Sequence, residues 1–407
     1  LSGAADDKNL PIARKFVDPL AQLPQWNIER VGDFLDGGLA RLTDVDYDDF
    51  EQHQRGFDVL LGHALSEDNA SRGFLRYSYA TREVVQNTGL NAAAPIFREV
   101  LQGNESSSML GVSFRRDTRD DRFSATSGTN TSASIDYSGL GGFARYLRAE
   151  GRMAWYMGAP RWLIDRSTFV ASTRIGYALP FNEISDWDFA LSDQTLCDDP
   201  SRCENVGPLD QIDTDLKLPL TERYFLGGIG NFQLRGFRAR TVGPRRAILQ
   251  RSGITGTGDL FHPVGTAISY DAVNDRYVAV CEDSGVFTQG DADGSCNQLN
   301  SKDIGDFGDI DETDAVGGSS FISSSFEYRF PISRAVGLQG VFFLDGGNSF
   351  YEGQNLFDAS QWRYGYGGGV LWFSPFGPLQ LVLGFPIDPY SFEDSPVFEF
   401  SVGGFGL

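Results

Sequence analysis

Basic residues are in short supply in this 407-residue chain: 34 Lys and Arg stand against 55 Asp and Glu, a formal net charge of -21. A nucleic-acid partner needs clustered cations along a phosphate backbone, so the balance excludes one. Histidine is rarer still, with His53, His63 and His262 the only three. None lies near a nucleophile constellation or a cysteine, so no triad, metal site, cofactor or enzyme activity is expected. Long apolar runs are also missing. No stretch reaches the roughly 18 consecutive apolar residues of a membrane helix, and the opening "LSGAADDKNLP" lacks the pattern of a signal peptide.

What the chain has in quantity is glycine (48) and phenylalanine (32), with apolar residues at alternate positions. In "MLGVSFRRD" Leu110, Val112 and Phe114 share one face, while Gly111, Ser113, Arg115 and Asp117 share the other. "PLQLVLGFP" repeats the alternation, with Leu379, Leu381, Leu383 and Phe385 opposed to Gln380, Val382 and Gly384. This period predicts strands at 36–44, 54–64, 72–83, 107–117, 129–138, 143–157, 167–180, 318–331, 336–347, 361–373, 378–387 and 396–405. Several approach the roughly 9–11 residues that cross a bilayer. Their connections alternate in character. "SEDNAS", "PISR" and "SPFGP" are tight turns, whereas 84–106, 349–359 and 181–317 are long and polar. Tight turns on one side and long loops on the other predict an all-β transmembrane barrel, because a closed barrel satisfies its backbone internally and shows lipid only alternate side chains. A soluble sandwich would have shorter strands and its apolar faces turned inward.

The cysteines form two close pairs, Cys197 with Cys203 and Cys281 with Cys296, both inside the polar segment 181–317. Two local disulfides on an oxidising outer face are expected, with four free thiols the alternative. The acidic run "GDADGSC" (290–296) lacks the later bidentate Glu of a calcium-binding EF-hand loop. Segment 181–317 reads as a folded extracellular cap with one arm reaching a specific place.

Within it, "ERYFLGGIGNFQLRGFRARTVGPRR" (222–246) resembles the loop-six signature of the outer-membrane assembly and translocation barrels that include BamA, TamA and the two-partner secretion transporters. The core of that signature falls here on Leu234, Arg235, Gly236 and Phe237. "SFRRDTRDDRFSATSGT" and "YSGLGG" resemble segments that BamA-like members carry ahead of it. "FFLDGGNSF" resembles the strand-thirteen motif, as Phe343, Asp345 and Gly347, and "SPFGPLQLVLGFPI" with "FEFSVGGF" resembles the last two strands. The resemblance spans about 36–407 and implies a sixteen-strand barrel with loop six folded into the lumen. Counting back from the C-terminus makes 36–44 about the fifth strand. Residues 1–35 are left unassigned, as early strands or a linker, and no POTRA-like βααββ unit fits, so the chain reads either as a fragment or as a reduced relative.

The resemblance further implies that Arg235 meets acidic side chains on the inner wall. Strand parity offers Glu327 and Asp345, both opposite large apolar neighbours and therefore lumenal. An arginine between them makes forked hydrogen bonds, and Gly236 allows close approach or positive φ; a solvated loop charge is the plain alternative. In BamA-like members a seam joins first and last strands. Here the last strand carries Phe398, Phe400, Gly403, Gly404 and Phe405, whose glycines weaken closure. The implied function is insertion of unfolded β-barrel clients into the bacterial outer membrane, with membrane lipid, clients and periplasmic accessory proteins as partners. Polypeptide secretion of the two-partner type, or a passive porin-like channel, is the alternative.

Overall fold

A computed structural model describes backbone and side chains for 52–85, 104–121, 124–160, 162–182, 218–230, 233–245, 314–351, 353–374, 377–390 and 393–402, together with Ile96 and Glu99. Strand backbone alone is described for stretches within 41–51, at 86, at 92–93, at 313 and within 246–286.

One antiparallel sheet of 12 strands dominates. Its strands are β1 (Arg41–Asp46), β2 (Phe50–Ala64), β3 (Ser71–Gln86), β4 (Glu105–Asp117), β5 (Gly128–Gly142) and β6 (Tyr146–Gly158). They continue as β7 (Thr168–Pro180), β8 (Ser320–Ser333), β9 (Leu338–Phe350), β10 (Arg363–Ser374), β11 (Gly377–Ile387) and β12 (Val397–Val402). Each pairs with its neighbour in sequence, and β7 joins β8 across 181–319. Strands β1 and β12 end the row; among the described residues neither has a second partner. The predicted strands at 129–138 and 143–157 meet at a later boundary than the sequence suggests. A register shift opposite Ser107 and Met109 carries β5 through to Gly142, and β6 starts later, at Tyr146.

Alternation sets which side of the sheet each residue faces. On β4, Val112 is 61% exposed while Gly111 is buried. On β9, Phe342 and Leu344 are exposed, whereas Val341, Phe343 and Asp345 are buried. Leu381 and Leu383 are exposed on β11, and Gln380 and Val382 are buried. A soluble sheet would reverse this pattern. Large side chains that remain outside after folding face the bilayer, where their burial is completed by lipid.

The protein core lies between the inner wall and the loop-six arm. Leu218, Tyr224, Leu226, Leu234, Phe237 and Val242 of the arm pack with Tyr146, Ala178 and Phe321 of the wall. A second cluster joins Leu220, Phe225, Ala315 and Val316 to Val84 and Ile96. The arm folds back on itself through bridges pairing Leu226 with Val242 and Gly228 with Leu234. Two smaller sheets are also present, a four-stranded one containing Arg245–Ile254 and a three-stranded one containing Arg276–Cys281. Cys197, Cys203 and Cys296 fall outside the described residues, and Cys281 ends a strand whose side chains are not described.

Candidate functional site

Of the arm's polar contacts with the wall, the most buried belongs to Arg235. Its tip turns at Gly236, where φ is 98°. That left-handed conformation suits a residue without Cβ. It also presses the arm's backbone onto β11: a Cβ on Gly384 would lie 2.5 Å from the Gly236 nitrogen. Leu234 and Phe237, packed on either side, hold the turn down.

From this turn Arg235, fully buried, reaches strands β8 and β9. Its Nε and Nη2 donate to Asp345 Oδ2 and Oδ1, each at 2.8 Å, and its backbone N–H donates to Oδ2 at 3.0 Å. Nη1 lies 2.7 Å from Glu327 Oε1, and Nη2 donates to Ser325 Oγ at 2.9 Å. The guanidinium lies over Phe343, 3.8 Å from the ring centre. A lysine, with a single compact ammonium, has no equivalent of this planar fork. Burial opposes the charge, but Asp345 and Glu327 override it and raise the arginine pKa above its ordinary value. Glu327 is further held by Arg329, whose Nε donates to Oε2 at 2.7 Å. Two carboxylates and two guanidiniums therefore neutralise one another inside the lumen, which is how buried charge is tolerated.

The second contact is at Glu222, at the start of the arm. It pairs with Arg82 of β3, lies 3.0 Å from Arg148 Nη2 of β6, and accepts the Tyr146 hydroxyl at 2.7 Å. Burial pushes its carboxyl up, and the two guanidiniums outweigh that and hold it below its usual value. Nearby, buried Glu99 accepts the Leu220 backbone N–H. The third contact is on the last strand: Ile229 N–H donates to Glu399 Oε1 of β12 at 3.2 Å. Phe398 and Phe400, flanking Glu399, are 63% and 59% exposed on the lipid side. Gly403, Gly404 and Phe405 lie outside the described residues.

Arg235, Gly236, Phe237, Glu327 and Asp345 are thus brought together, and Phe398 and Phe400 sit three strands from Asp345. Sequence reasoning missed Arg329, although it lies two residues beyond Glu327 on the same face and was readable by parity. It also missed the Glu222 contact, because Arg82 and Arg148 belong to strands remote in sequence from the arm.

An acidic wall pair gripping an arginine from the loop between β7 and β8 is the arrangement the loop-six signature implies. A profile of the Omp85 superfamily domain matches residues 5–405. The chain belongs to the Omp85 superfamily. It is accordingly an outer-membrane β-barrel protein. Among solved structures, the fold is similar to BamA from Haemophilus ducreyi lacking POTRA domains 1–3, with a TM-score of 0.53 and 13% identity, covering 89% of this chain and 56% of that one. CdiB from Acinetobacter baumannii also matches, with a TM-score of 0.41 and 12% identity, over 86% of this chain and 42% of that one. The Omp85 chain therefore spans little more than half the length of the BamA structure it matches.

Proposed function

We propose that this Omp85 barrel inserts unfolded β-barrel clients into the outer membrane by pairing them with the edge of β12, without nucleotide or cofactor and without catalysing a chemical reaction. One observation carries the reading. Glu399 of β12 accepts the Ile229 N–H of the loop-six arm, so the strand whose outer edge this reading leaves for clients is held from inside the lumen. An unpaired edge presents backbone donors and acceptors that an incoming strand can satisfy. The loop-six arm gives this edge a fixed support, because it is bolted to β8 and β9 by Arg235 and tied to β12 through Glu399. Gly403, Gly404 and Phe405 continue the strand and belong to the same seam in this reading. The partners are outer-membrane lipid, the clients, and periplasmic accessory proteins that deliver them.

The test is reconstitution. Liposomes containing the protein should speed the folding of a denatured outer-membrane barrel, read as heat-modifiable gel mobility, over empty liposomes. No acceleration, together with transfer of an unfolded polypeptide into the vesicle lumen, would support secretion instead.

A further inference from the structure

The loop that leads into β12, residues 388–396, is held against the arm by a side chain that neither the lock nor the seam uses. Arg363 begins β10 and is buried on the same face of that strand as Gly365, where a Cβ would collide with the Arg235 carbonyl. Residues two apart on a strand share a face, so Arg363 stands on the lumen wall beside the lock. From there it reaches two other segments. Its guanidinium lies 5.1 Å from the ring centre of Phe237, the aromatic that follows Gly236 in the arm's turn. It also lies 3.9 Å from the ring centre of Tyr390, and its Nη2 donates to Glu393 Oε2 at 2.5 Å and to the Asp388 carbonyl at 3.2 Å.

The loop is shaped to receive it. Asp388, the first residue past β11, takes a left-handed φ of 57°, which a short acidic side chain tolerates. Glu393 accepts the Tyr390 N–H at 2.9 Å through the same Oε2, and its own N–H donates to the Tyr390 carbonyl at 3.1 Å. One carboxylate thus closes the loop on itself and pairs with the wall, where the two charged side chains are only 5% and 9% exposed. Separating such a pair strands a charge away from water. A second link, Arg238 of the arm to Asp394, is 60% and 52% exposed, so solvent screens it and it contributes little. Immediately after the loop, Val397 is buried and Glu399 accepts the Ile229 N–H.

We propose that Arg363 is a positioning residue that couples the loop-six arm to the start of β12, by stacking on Phe237 and gripping Glu393 at once. With the arm's turn seated, Phe237 keeps water from the guanidinium and the Glu393 pair is strong; with the arm lifted, water reaches the pair and weakens it. Docking of the arm therefore sets how firmly the beginning of the last strand is held. A lysine lacks the flat guanidinium that stacks on both rings while it donates to the loop. The consequence for clients rests on the insertion reading above: Arg363 fixes the register in which an incoming strand meets β12, because a slip of two residues keeps every side chain on its own face and is resisted only by where the strand begins.

The test uses the whole chain in detergent micelles, with heat-modifiable mobility reporting folded barrels. In R363Q the amides of Tyr390 and Glu393 should exchange with deuterium about tenfold faster or more, the loss of one charge-assisted hydrogen bond. R363K should fall between, and E393Q, which cuts the same bond from the loop side, takes the place of R363Q should that variant not fold. The coupling predicts that R235A, with Arg363 and Glu393 both intact, quickens the same two amides, whereas R334Q, which removes an exposed pair with Asp165, changes neither. In liposomes R363Q should slow client folding and spread client disulfides on β12 over positions two residues apart; a residue that merely stabilises its loop would leave that register sharp. Unchanged exchange in R363Q and E393Q, unchanged exchange in R235A, or quickened exchange with a client register as sharp as in the wild type each overturns the proposal. Failure of the wild type to speed client folding defeats the insertion reading alone, and amide exchange still decides the coupling.

Discussion

Arg235 and Asp345 meet as a two-pronged fork, Nε to Oδ2 and Nη2 to Oδ1 at 2.8 Å each, with the arginine's own backbone N–H adding a third bond at 3.0 Å. Removing one partner of such a pair strands the other charge away from water, at a cost of about 3–5 kcal/mol. Arg235→Ala should free the arm and raise the protease sensitivity of loop six, while the barrel keeps its heat-modifiable mobility. Arg235→Lys should recover little, because the ammonium cannot engage both oxygens in one plane. Unchanged protease resistance in the alanine variant would contradict the lock.

Gly384 tests the same contact from the wall side. A methyl group there meets the Gly236 backbone at 2.5 and 2.7 Å, and neither atom can yield without moving the arm. Gly384→Ala should therefore loosen loop six, with overpacking of about 1–3 kcal/mol. Gly151→Ala meets only an Ile175 methyl, at 3.5 Å, and should leave proteolysis unchanged. Equal behaviour of the two variants would count against the close approach.

The Glu99 contact predicts a pH dependence. Burial raises its carboxyl from an ordinary 4.5 to about 7, against the lowering effects of the Leu220 N–H and Arg223. Below about 4.5 the docked and undocked states both hold the proton. Between 4.5 and about 7 only the docked state keeps it, so docking weakens as pH rises through that window and is flat above it. Hydrogen exchange around Leu220 should quicken from pH 4.5 to 7, after correction for intrinsic rates, and Glu99→Gln should flatten the trend. A wild-type profile as flat as that of the variant would refute the linkage.

Mass spectrometry of non-reduced peptides should find Cys197 joined to Cys203 and Cys281 to Cys296. Each bridge would close a short loop of the cap expected at 181–317 and limit its unfolded conformations. Crossed pairing, or four free thiols, would overturn this layout.

Much of the wall was legible because alternation is a local signal: Val112 outward and Asp345 inward follow from neighbours one and two residues away. Strand ends were less so. The β5 to β6 boundary depends on a register shift against β4, and a cross-strand relation has no local trace. The lock was readable only by combining parity with the loop-six resemblance. The Glu222 contact was hidden for the same reason, since only the fold sets Arg82 and Arg148 beside the arm.

The seam itself is tested most directly by asking what an arriving client touches. Single cysteines at Ser401 and Val402 of β12, and at Ser132 on the lumen wall, can be challenged with a client carrying one cysteine in its C-terminal strand, in a background lacking the native cysteines. Templating at the edge predicts rapid disulfides to positions 401 and 402 that shift in step when the client cysteine is moved by two residues, and none to Ser132→Cys that persist after insertion. Client disulfides to Ser132→Cys alone, with β12 untouched while insertion runs at full rate, would contradict the seam and place the route through the lumen.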